Sequence, residues 1–231
     1  MPCLYAMMNL FKPYNTMKQE KEQYTFNAAE FNEKVMKGHF KKIYPVIAQQ
    51  ILERTGMTSG CCIDLGGGPG MLGVELAKAS TLEVTVCDVT LECVELAKEN
   101  SREHGVHDRV SAVHGAAEKL PFDNNSIDLV VSRGSIFFWE DQAHGLQEVY
   151  RVLREGGWAC IGGGFGTAEL LQEVLAAKGD DPEWDKHRKE RLAKNPPGHF
   201  EAILQKLGIN GVVERSDAGM WIIFTKQATE L

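Results

Sequence analysis

Residues 61–73 read CCIDLGGGPGMLG, and this stretch decides the fold. Four apolar residues with an aspartate at position 64 predict a short buried strand. Four glycines then fall within residues 66–70, and an amphipathic run follows over residues 71–79. A strand, a glycine turn and a helix in immediate succession predict a nucleotide-binding corner, because glycine lets the backbone turn sharply and lie against a ligand.

The glycines fit two templates for such a corner. Residues 68–73 match the dinucleotide pattern G-x-G-x-x-G, and Asp88 lies where a ribose-binding acid is expected. Read from Asp64, the same residues give D-x-G-x-G-x-G, in which the first glycine directly follows the strand. The second register is favoured because the first leaves two glycines unused and places Pro69 inside the phosphate turn. The rest of the chain has to decide between the two templates.

Composition restricts the class of protein. The chain has 231 residues, of which 43% are hydrophobic and 25% charged, which is ordinary for a globular protein with one large domain. Its net charge of −7 argues against nucleic acid as the main partner, because phosphate contacts need a basic surface. No apolar run approaches the roughly 20 residues that span a bilayer, and the first residues lack the features of a signal peptide. We therefore expect neither a membrane nor a nucleic acid as partner.

The cysteines and histidines predict neither disulfides nor a metal site. Of the six cysteines, four lie in predicted buried strands, and no C-x-x-C pair occurs. Reduced thiols are expected, which indicates the cytoplasm. His104 and His107 are spaced H-x-x-H, but they lie in a polar loop without a third ligand, so no metal is expected.

Around the corner, strands and helices alternate. A helical pattern covers residues 28–55, with a break at Gly38, a start or kink at Pro45 and an end at Gly56. Further strands are predicted at residues 82–88, 110–114, 127–132 and 158–162, and helices at 91–103 and about 142–153. Alternation of this kind predicts a parallel sheet with helices on both faces.

The C-terminal part differs from this pattern. Helices around residues 168–178 and 199–207 flank a charged segment, in which residues 186–194 read as a solvated helix face. Residues 212–216 and 220–226 are joined by a short turn. Such a turn requires an antiparallel hairpin, because parallel strands need a long crossover.

Four blocks give a specific resemblance: DLGGGPG (64–70), Asp88, AEKLPFDNNSIDLVVS (117–132) and the turn LREGG (153–157). Over residues 28–226 the chain resembles the class I S-adenosylmethionine-dependent methyltransferases. The last two blocks have no role in the dinucleotide template, so the resemblance favours the second register. The strings SRGSIFFWED and IGGGFG are similar to those of a subgroup of small prokaryotic methyltransferases.

The resemblance implies a fold and a division of the chain. The fold is α/β, a Rossmann-like, doubly wound seven-stranded sheet that is mostly parallel with a C-terminal antiparallel hairpin. Residues 1–58 would form an N-terminal helical cap or lid, and residues 59–231 the methyltransferase domain. Residues 166–200 would be a helical insertion near the substrate site.

A set of cofactor residues follows for S-adenosyl-L-methionine. Asp88 ends a strand at the crevice, where its carboxylate can accept from both ribose hydroxyls, since Thr90 fills the capping position of the next helix. The resemblance implies that Asp64 orders the methionine end. Where family members have Gly-Asp-Ala for adenine, this chain has Ala116, so backbone at Ala117 or the Glu118 carboxylate would take that role. The expected cofactor residues are Asp64, Gly66, Gly67, Gly68, Gly70, Asp88, Val89, Ala117, Glu118, Ser132 and Arg133.

The acceptor side follows the fourth strand. Arg133 is expected either to hold an anionic substrate or to pair with Glu140 or Asp141. The aromatic run 137–139 predicts an apolar wall, with at least one ring in the core, and the glycines at 162–164 are either a low pocket wall or a turn. The candidate substrate residues are Arg133, Ser135, Phe138, Trp139, Phe165, Tyr24 and Tyr44, and no catalytic base is identified.

The predicted function is transfer of a methyl group to a small-molecule nucleophile, an in-line displacement that depends on positioning and exclusion of water. Two alternatives remain: a non-catalytic protein that binds the same cofactor as a sensor or partner, and a nicotinamide-dependent oxidoreductase. Because a dry site needs a cover, we also expect residues 1–27 to become ordered when cofactor binds, with the charged run 180–194 as a second candidate segment.

Overall fold

The computed structural model describes residues 27–177 and 182–228. Seven strands form one sheet in the order β3-β2-β1-β4-β5-β7-β6. The strands are β1 (Ser59–Leu65), β2 (Thr81–Asp88), β3 (Val110–His114), β4 (Ile127–Arg133), β5 (Leu153–Gly164), β6 (Gly211–Ser216) and β7 (Gly219–Thr225).

The helices precede, connect and follow these strands. They are α1 (Ala28–Phe31), which runs into a π-helical segment (Asn32–His39), then α2 (Ile43–Thr55), α3 (Met71–Ala79), α4 (Leu91–Glu103), α5 (Gln142–Val152), α6 (Ala168–Ala177), α7 (Pro182–Lys194) and α8 (Pro197–Leu207). Gly38 is non-helical, Pro45 lies in the first turn of α2, and Gly56 ends α2 in the left-handed conformation. The break, the start and the end predicted for this region are therefore confirmed. None of the helices in the described residues is long and apolar enough to cross a membrane.

The strand directions confirm the predicted fold class. β1 pairs in parallel with β2 and β4, β2 with β3, and β4 with β5, whereas β7 is antiparallel to both β5 and β6. The order reverses between β1 and β4. In an open sheet of this kind, ligands bind beyond the carboxyl ends of the strands at that reversal.

Two apolar clusters cover the two faces of the sheet. One contains the inward side chains of the π-helical segment, α2, α3, α4 and α6, and the other those of α5 and α8. Cys62 and Val131 belong to the first cluster, and Ile63 and Val130 to the second, which is the alternation that a pleated strand imposes. Asp64 therefore shares the α2 face with Cys62, and Arg133 shares it with Val131.

The fifth strand is longer than the pattern predicted. Residues 155–157 do not precede it as a turn but form an irregularity within β5, where Gly156 has a φ of 76°. Residues 162–164, for which a turn was one of two alternatives, are extended and pair with β7. A Cβ at Gly162 would collide with the carbonyl of Met220, so glycine is needed for this close approach of two strands.

The described cysteines are free thiols. They are Cys61, Cys62, Cys87, Cys93 and Cys160, and all but Cys61 are buried; Cys3 lies outside the described residues. Burial raises the pKa of Cys87, Cys93 and Cys160 to about 12 and raises that of Cys62 as well.

We expect the four buried thiols to resist modification in the native protein at pH 8, because they are inaccessible and stay protonated. Titration with a thiol reagent in denaturant, without reductant, should then find all six cysteines of the chain. A reproducible deficit of two in denaturant would reveal a disulfide and contradict the prediction.

Candidate active site

The glycine loop after β1 is held by its neighbours. Gly66 has a φ of 60°, which favours glycine, and its N–H donates to the carbonyl of Cys87 at 2.7 Å. A Cβ on Gly66 would collide with the side chain of Ser135. The Ser135 hydroxyl donates to the Leu65 carbonyl at 3.1 Å and lies 2.6 Å from the hydroxyl of Ser132. Ser132 and Ser135, both predicted site residues, thus connect the end of β4 to the glycine loop.

Asp64 is a buried carboxyl group at the end of β1, only 1% exposed. Its Oδ2 accepts from the N–H of Gly73 at 2.9 Å, whereas its Oδ1 is buried and has no hydrogen-bond partner. Burial raises the pKa of Asp64 to about 7, and the negative charge of Asp88 adds to that rise. A buried acceptor without a donor is costly unless a ligand supplies one. The site is therefore suited to a ligand that brings a donor or a positive charge to Asp64.

Asp88, at the end of β2, is also part of the local structure. Its Oδ2 accepts from the N–H of Gly68 at 2.8 Å and its Oδ1 from the N–H of Thr90 at 2.9 Å. Burial raises its pKa, and these backbone donors oppose the rise. Thr90 does occupy the N-cap position of α4, but its side chain makes no capping hydrogen bond. The prediction that the Thr90 side chain caps α4, and so leaves the Asp88 carboxylate without a structural role, is therefore wrong. Each carboxylate oxygen of Asp88 still has a second lone pair for a ligand.

The candidate adenine end is open on one side. Val89 is 62% exposed at the crevice, where a flat apolar group can lie on it. Ala117 is buried, and its neighbour Glu118 accepts from the N–H of Asp141 at 3.2 Å. Glu118 thus already binds the start of α5, and it keeps lone pairs for a ligand.

Arg133 lies within a group of aromatic rings at the end of β4. Its guanidinium carbon is 4.5 Å from the ring centre of Phe40, 5.1 Å from that of Phe165 and 5.8 Å from that of Tyr44. Its Nε donates to the carbonyl of Gly164 at 3.0 Å. Phe40 was not predicted as a site residue, although an aromatic two residues after the Gly38 break was an available signal.

The predicted alternative, an ion pair of Arg133 with Glu140 or Asp141, is wrong. Asp141 caps α5 by accepting from the N–H of His144 at 2.9 Å. Among residues 27–177 and 182–228, no carboxylate forms an ion pair with Arg133. Tyr44 interacts with the guanidinium, and this interaction opposes the burial that raises the Tyr44 pKa to about 12.

The aromatic run divides between core and site. Phe137 packs in the core, the indole N–H of Trp139 donates to the Ser135 hydroxyl at 3.1 Å, and Phe138 is 40% exposed. The guanidinium carbon of Arg191, on α7, lies 5.4 Å from the Phe138 ring centre. The prediction of a solvated face at residues 186–194 is therefore wrong in part, because this contact turns one side of α7 inward. Arg191 was missed because only the fold brings it to Phe138.

The last predicted candidate, Tyr24, and the histidines add little to the site. Tyr24 lies outside the described residues. His199 hydrogen-bonds through Nε2 to the side chain of Gln142 at 2.7 Å, which is a structural contact. In the part of the chain that the structure describes, no three His, Cys, Asp or Glu side chains form a metal-binding group.

Comparisons with known proteins agree with this geometry. Residues 63–161 match a family model described as a methyltransferase domain. A solved structure from Methanococcus maripaludis, of a protein proposed to be an S-adenosyl-L-methionine-dependent methyltransferase, is 36% identical with a TM-score of 0.85. That similarity covers 93% of this chain and 99% of the other.

Two curated relatives share a shorter region. The 2-methyl-6-phytyl-1,4-hydroquinone methyltransferase 2 of rice (Oryza sativa subsp. japonica) is 40% identical over 100 residues, which are 43% of this chain and 28% of the rice protein. A demethylmenaquinone methyltransferase of Chlorobaculum tepidum is 32% identical over 99 residues, which are 43% of this chain and 38% of that protein. The chain thus spans well under half the length of these curated relatives.

We expect the raised pKa of Asp64 to make the free energy of unfolding depend on pH. The unfolded carboxyl ionises near 3.8, the folded one near 7, so the stability that this group contributes is complete at low pH and is lost as pH rises through 7. Asp64→Asn removes this loss. Between pH 5 and pH 8 the variant should gain on the order of 2–3 kcal/mol relative to the unsubstituted protein, because one pKa unit is about 1.4 kcal/mol.

The measurement is denaturant unfolding at both pH values. Asp217→Asn is the control, because Asp217 is exposed in the turn between β6 and β7, and its difference from the unsubstituted protein should not change with pH. An Asp64→Asn difference that is equal at pH 5 and pH 8 would mean that Asp64 is ionised throughout.

Proposed function

The chain belongs to the class I S-adenosyl-L-methionine-dependent methyltransferases, and we propose that it transfers the cofactor's methyl group to a small molecule bound beside Arg133. Family membership supports the cofactor and the reaction class. The arrangement of Asp64, the glycine loop and Asp88 at the reversal of strand order supports the place where the reaction occurs.

The single observation that carries the proposal is the charge at the glycine loop. Asp64 and Asp88 lie on either side of it, and the charge of Asp88 contributes to the raised pKa of Asp64. A pyrophosphate at this loop would be repelled by both carboxylates, whereas a sulfonium and an ammonium group would be attracted. The same observation disfavours the nicotinamide alternative.

The described residues fit the cofactor. The unpartnered Oδ1 of Asp64 is suited to the ammonium group, the backbone at Gly66, Gly67, Gly68 and Gly70 allows close approach, and Asp88 offers lone pairs to the ribose hydroxyls. Val89, Ala117 and Glu118 line the expected adenine position. When bound, S-adenosyl-L-methionine supplies a methyl group on a positively charged sulfur.

The chain's own residues act by positioning and by excluding water. Phe40, Phe165 and Phe138 form apolar walls, and Ser132, Ser135 and Trp139 form the hydrogen-bonded floor beneath the glycine loop. Tyr44, with a pKa of about 12, stays protonated at neutral pH, and its hydroxyl donates to the Sδ of Met36 at 2.8 Å, so it does not take a proton from the acceptor. An acceptor that needs no strong base fits this site best.

The acceptors named for the two curated relatives are 2-methyl-6-phytyl-1,4-hydroquinone and demethylmenaquinone, but the similarity covers only 43% of this chain. The family model likewise spans residues 63–161, which include the glycine loop and β4 but neither α2 nor α7. Because Tyr44 and Arg191 lie on those helices, acceptor choice depends on residues outside the matched region.

The proposal also divides the chain. In this division residues 1–58 act as an N-terminal cap, of which residues 27–58 are described, residues 59–231 act as the methyltransferase domain, and residues 166–200 act as an insertion at the acceptor side. The packing of α2 on the sheet and of Arg191 on Phe138 supports these roles. The free thiols support a cytoplasmic location.

We expect Asp88→Ala to weaken binding of S-adenosylhomocysteine by about 1.5–3 kcal/mol, the usual loss for hydrogen bonds to a charged acceptor. Titration calorimetry measures the affinity, and Asp108→Ala, at an exposed position, is the control. Because Asp88 also binds the N–H groups of Gly68 and Thr90, thermal melting should accompany the titration. Unchanged affinity would remove Asp88 from the cofactor site.

The reaction itself is tested in two steps. Calorimetry should show binding of S-adenosylhomocysteine and none of NAD, and the reverse result would favour an oxidoreductase. A homocysteine-release assay over a panel of small acceptors should then find turnover. Cofactor binding with no turnover across phenolic, thiol, amine and carboxylate acceptors would favour the non-catalytic sensor.

The cover is tested by hydrogen exchange. We expect amides of α7 to exchange more slowly when S-adenosylhomocysteine is bound, because Arg191 links this helix to Phe138 at the site. The same expectation for residues 1–27 concerns a segment that lies almost entirely outside the described residues. Protection of the glycine loop without protection of either segment would contradict the cover.

A further inference from the structure

We propose that Asn100 is a positioning residue for the glycine loop, and that its pairing with Asn32 couples docking of residues 28–39 on α4 to binding of the cofactor. This inference rests on the proposed function and assigns how that site is controlled. It comes from two buried amides that join the N-terminal cap to the glycine loop.

Asn32 and Asn100 form a reciprocal hydrogen-bonded pair. The Nδ2 of Asn100 donates to the Oδ1 of Asn32 at 3.0 Å, and the Nδ2 of Asn32 donates to the Oδ1 of Asn100 at 3.3 Å. Asn32 lies in the π-helical segment and is 2% exposed, and Asn100 lies on α4 and is 1% exposed. Two apolar residues of similar shape would pack here without the desolvation cost, so what the amides add is one fixed position of the cap on α4.

Asn100 extends this pair to the glycine loop. The same Nδ2 donates to the carbonyl of Pro69 at 2.8 Å, so its two hydrogens are divided between the cap and the loop. The preceding residue is held from another side, because the N–H of Gly68 donates to Asp88. Residues 68 and 69 are therefore fixed between the acid that would bind the cofactor's ribose and the amide that binds the cap.

Phe31 brings the cap to the loop at a second point. A Cβ added to Gly68 would lie 3.9 Å from the Cε1 of Phe31, which is van der Waals distance. Because Phe31 directly precedes Asn32, docking of the amide pair also places this ring against the loop. Lys37 and Glu103 form a further link between the segment and α4, but the Glu103 side chain is 58% exposed, and surface ion pairs contribute little.

The shared amide makes the two events depend on each other. A ligand that fixes the glycine loop also fixes the Pro69 carbonyl and the Asn100 amide, and this favours the docked cap. By linkage, docking of the cap raises the affinity for the ligand by the same factor. Gly38, with a non-helical φ of −91° and ψ of −105°, is the point about which the segment can move.

The experiment is a double-mutant cycle of Asn32→Ala and Asn100→Ala, with S-adenosylhomocysteine affinity measured by calorimetry. We expect Asn32→Ala to weaken binding roughly fivefold or more, although its side chain bonds to Asn100 and Glu33 rather than to the loop. The double variant should bind no more weakly than Asn100→Ala alone, because Asn32 acts through Asn100. Gln49→Ala is the control, since it removes an exposed amide from α2 of the same cap, and it should match the unsubstituted protein.

Hydrogen exchange supplies a readout that a purely structural pair would not change. In the unsubstituted protein, S-adenosylhomocysteine should slow exchange of the amides of residues 28–39. Asn32→Ala should lose that effect and keep the slowing at residues 66–70. A purely structural pair would lower the melting temperature of Asn32→Ala and leave both the affinity and the effect of the ligand on exchange unchanged.

Two results would overturn the proposal: an unchanged affinity of Asn32→Ala, or single-variant effects that multiply in the double variant. If thermal melting shows that either variant does not fold, exchange in the unsubstituted protein decides. Residues 28–39 that exchange equally fast with and without the ligand would then contradict the coupling. Failure of S-adenosylhomocysteine to bind the unsubstituted protein would contradict the proposed function and the coupling together, whereas normal binding without any effect of Asn32→Ala contradicts the coupling alone.

Discussion

The structure depends on two backbone N–H groups that are fixed by the carboxylates of Asp64, which is buried, and Asp88, which is partly buried. Asp64 binds the N–H of Gly73 and Asp88 binds that of Gly68, so the ends of two neighbouring strands hold one loop from both sides. Negative charge this close together and this deeply placed is unfavourable, as the raised pKa of Asp64 records. The loop is thus kept in a geometry that a positively charged ligand would stabilise further.

The opposite sign of charge collects one strand away. Arg133 extends from β4 towards β5, where its Nε donates to the carbonyl of Gly164. Among the described residues Arg133 therefore forms no ion pair with the two carboxylates, which lie at the ends of β1 and β2. Such a separation suits two ligands of different charge that must meet at a defined point, and it lets each be selected independently.

Local sequence patterns predicted most of the fold, because each strand and helix carries its own periodicity and its own end signals. The bounds of α4 and β3 agree with the pattern to the residue. β5 was predicted too short because an irregularity at Gly156 looks like a turn when only neighbouring residues are considered. Phe40 and Arg191 were missed as site residues since their roles arise from contacts with Arg133 and Phe138, far away in sequence. Thr90 was mistaken for a capping side chain because its position, but not its hydrogen bond, can be read locally.

The contact between Gly66 and Ser135 has a consequence for how sequences of this kind can change. A side chain at position 66 would need both a tolerable backbone at a φ of 60° and room that Ser135 occupies. A larger residue at position 135 would in turn collide with the loop at Gly66, and this collision could not be relieved by a smaller residue because position 66 is already glycine. A substitution at only one of the two positions is therefore expected to destabilise the fold. We would look for these two positions to change together, or not at all, as homologous sequences diverge.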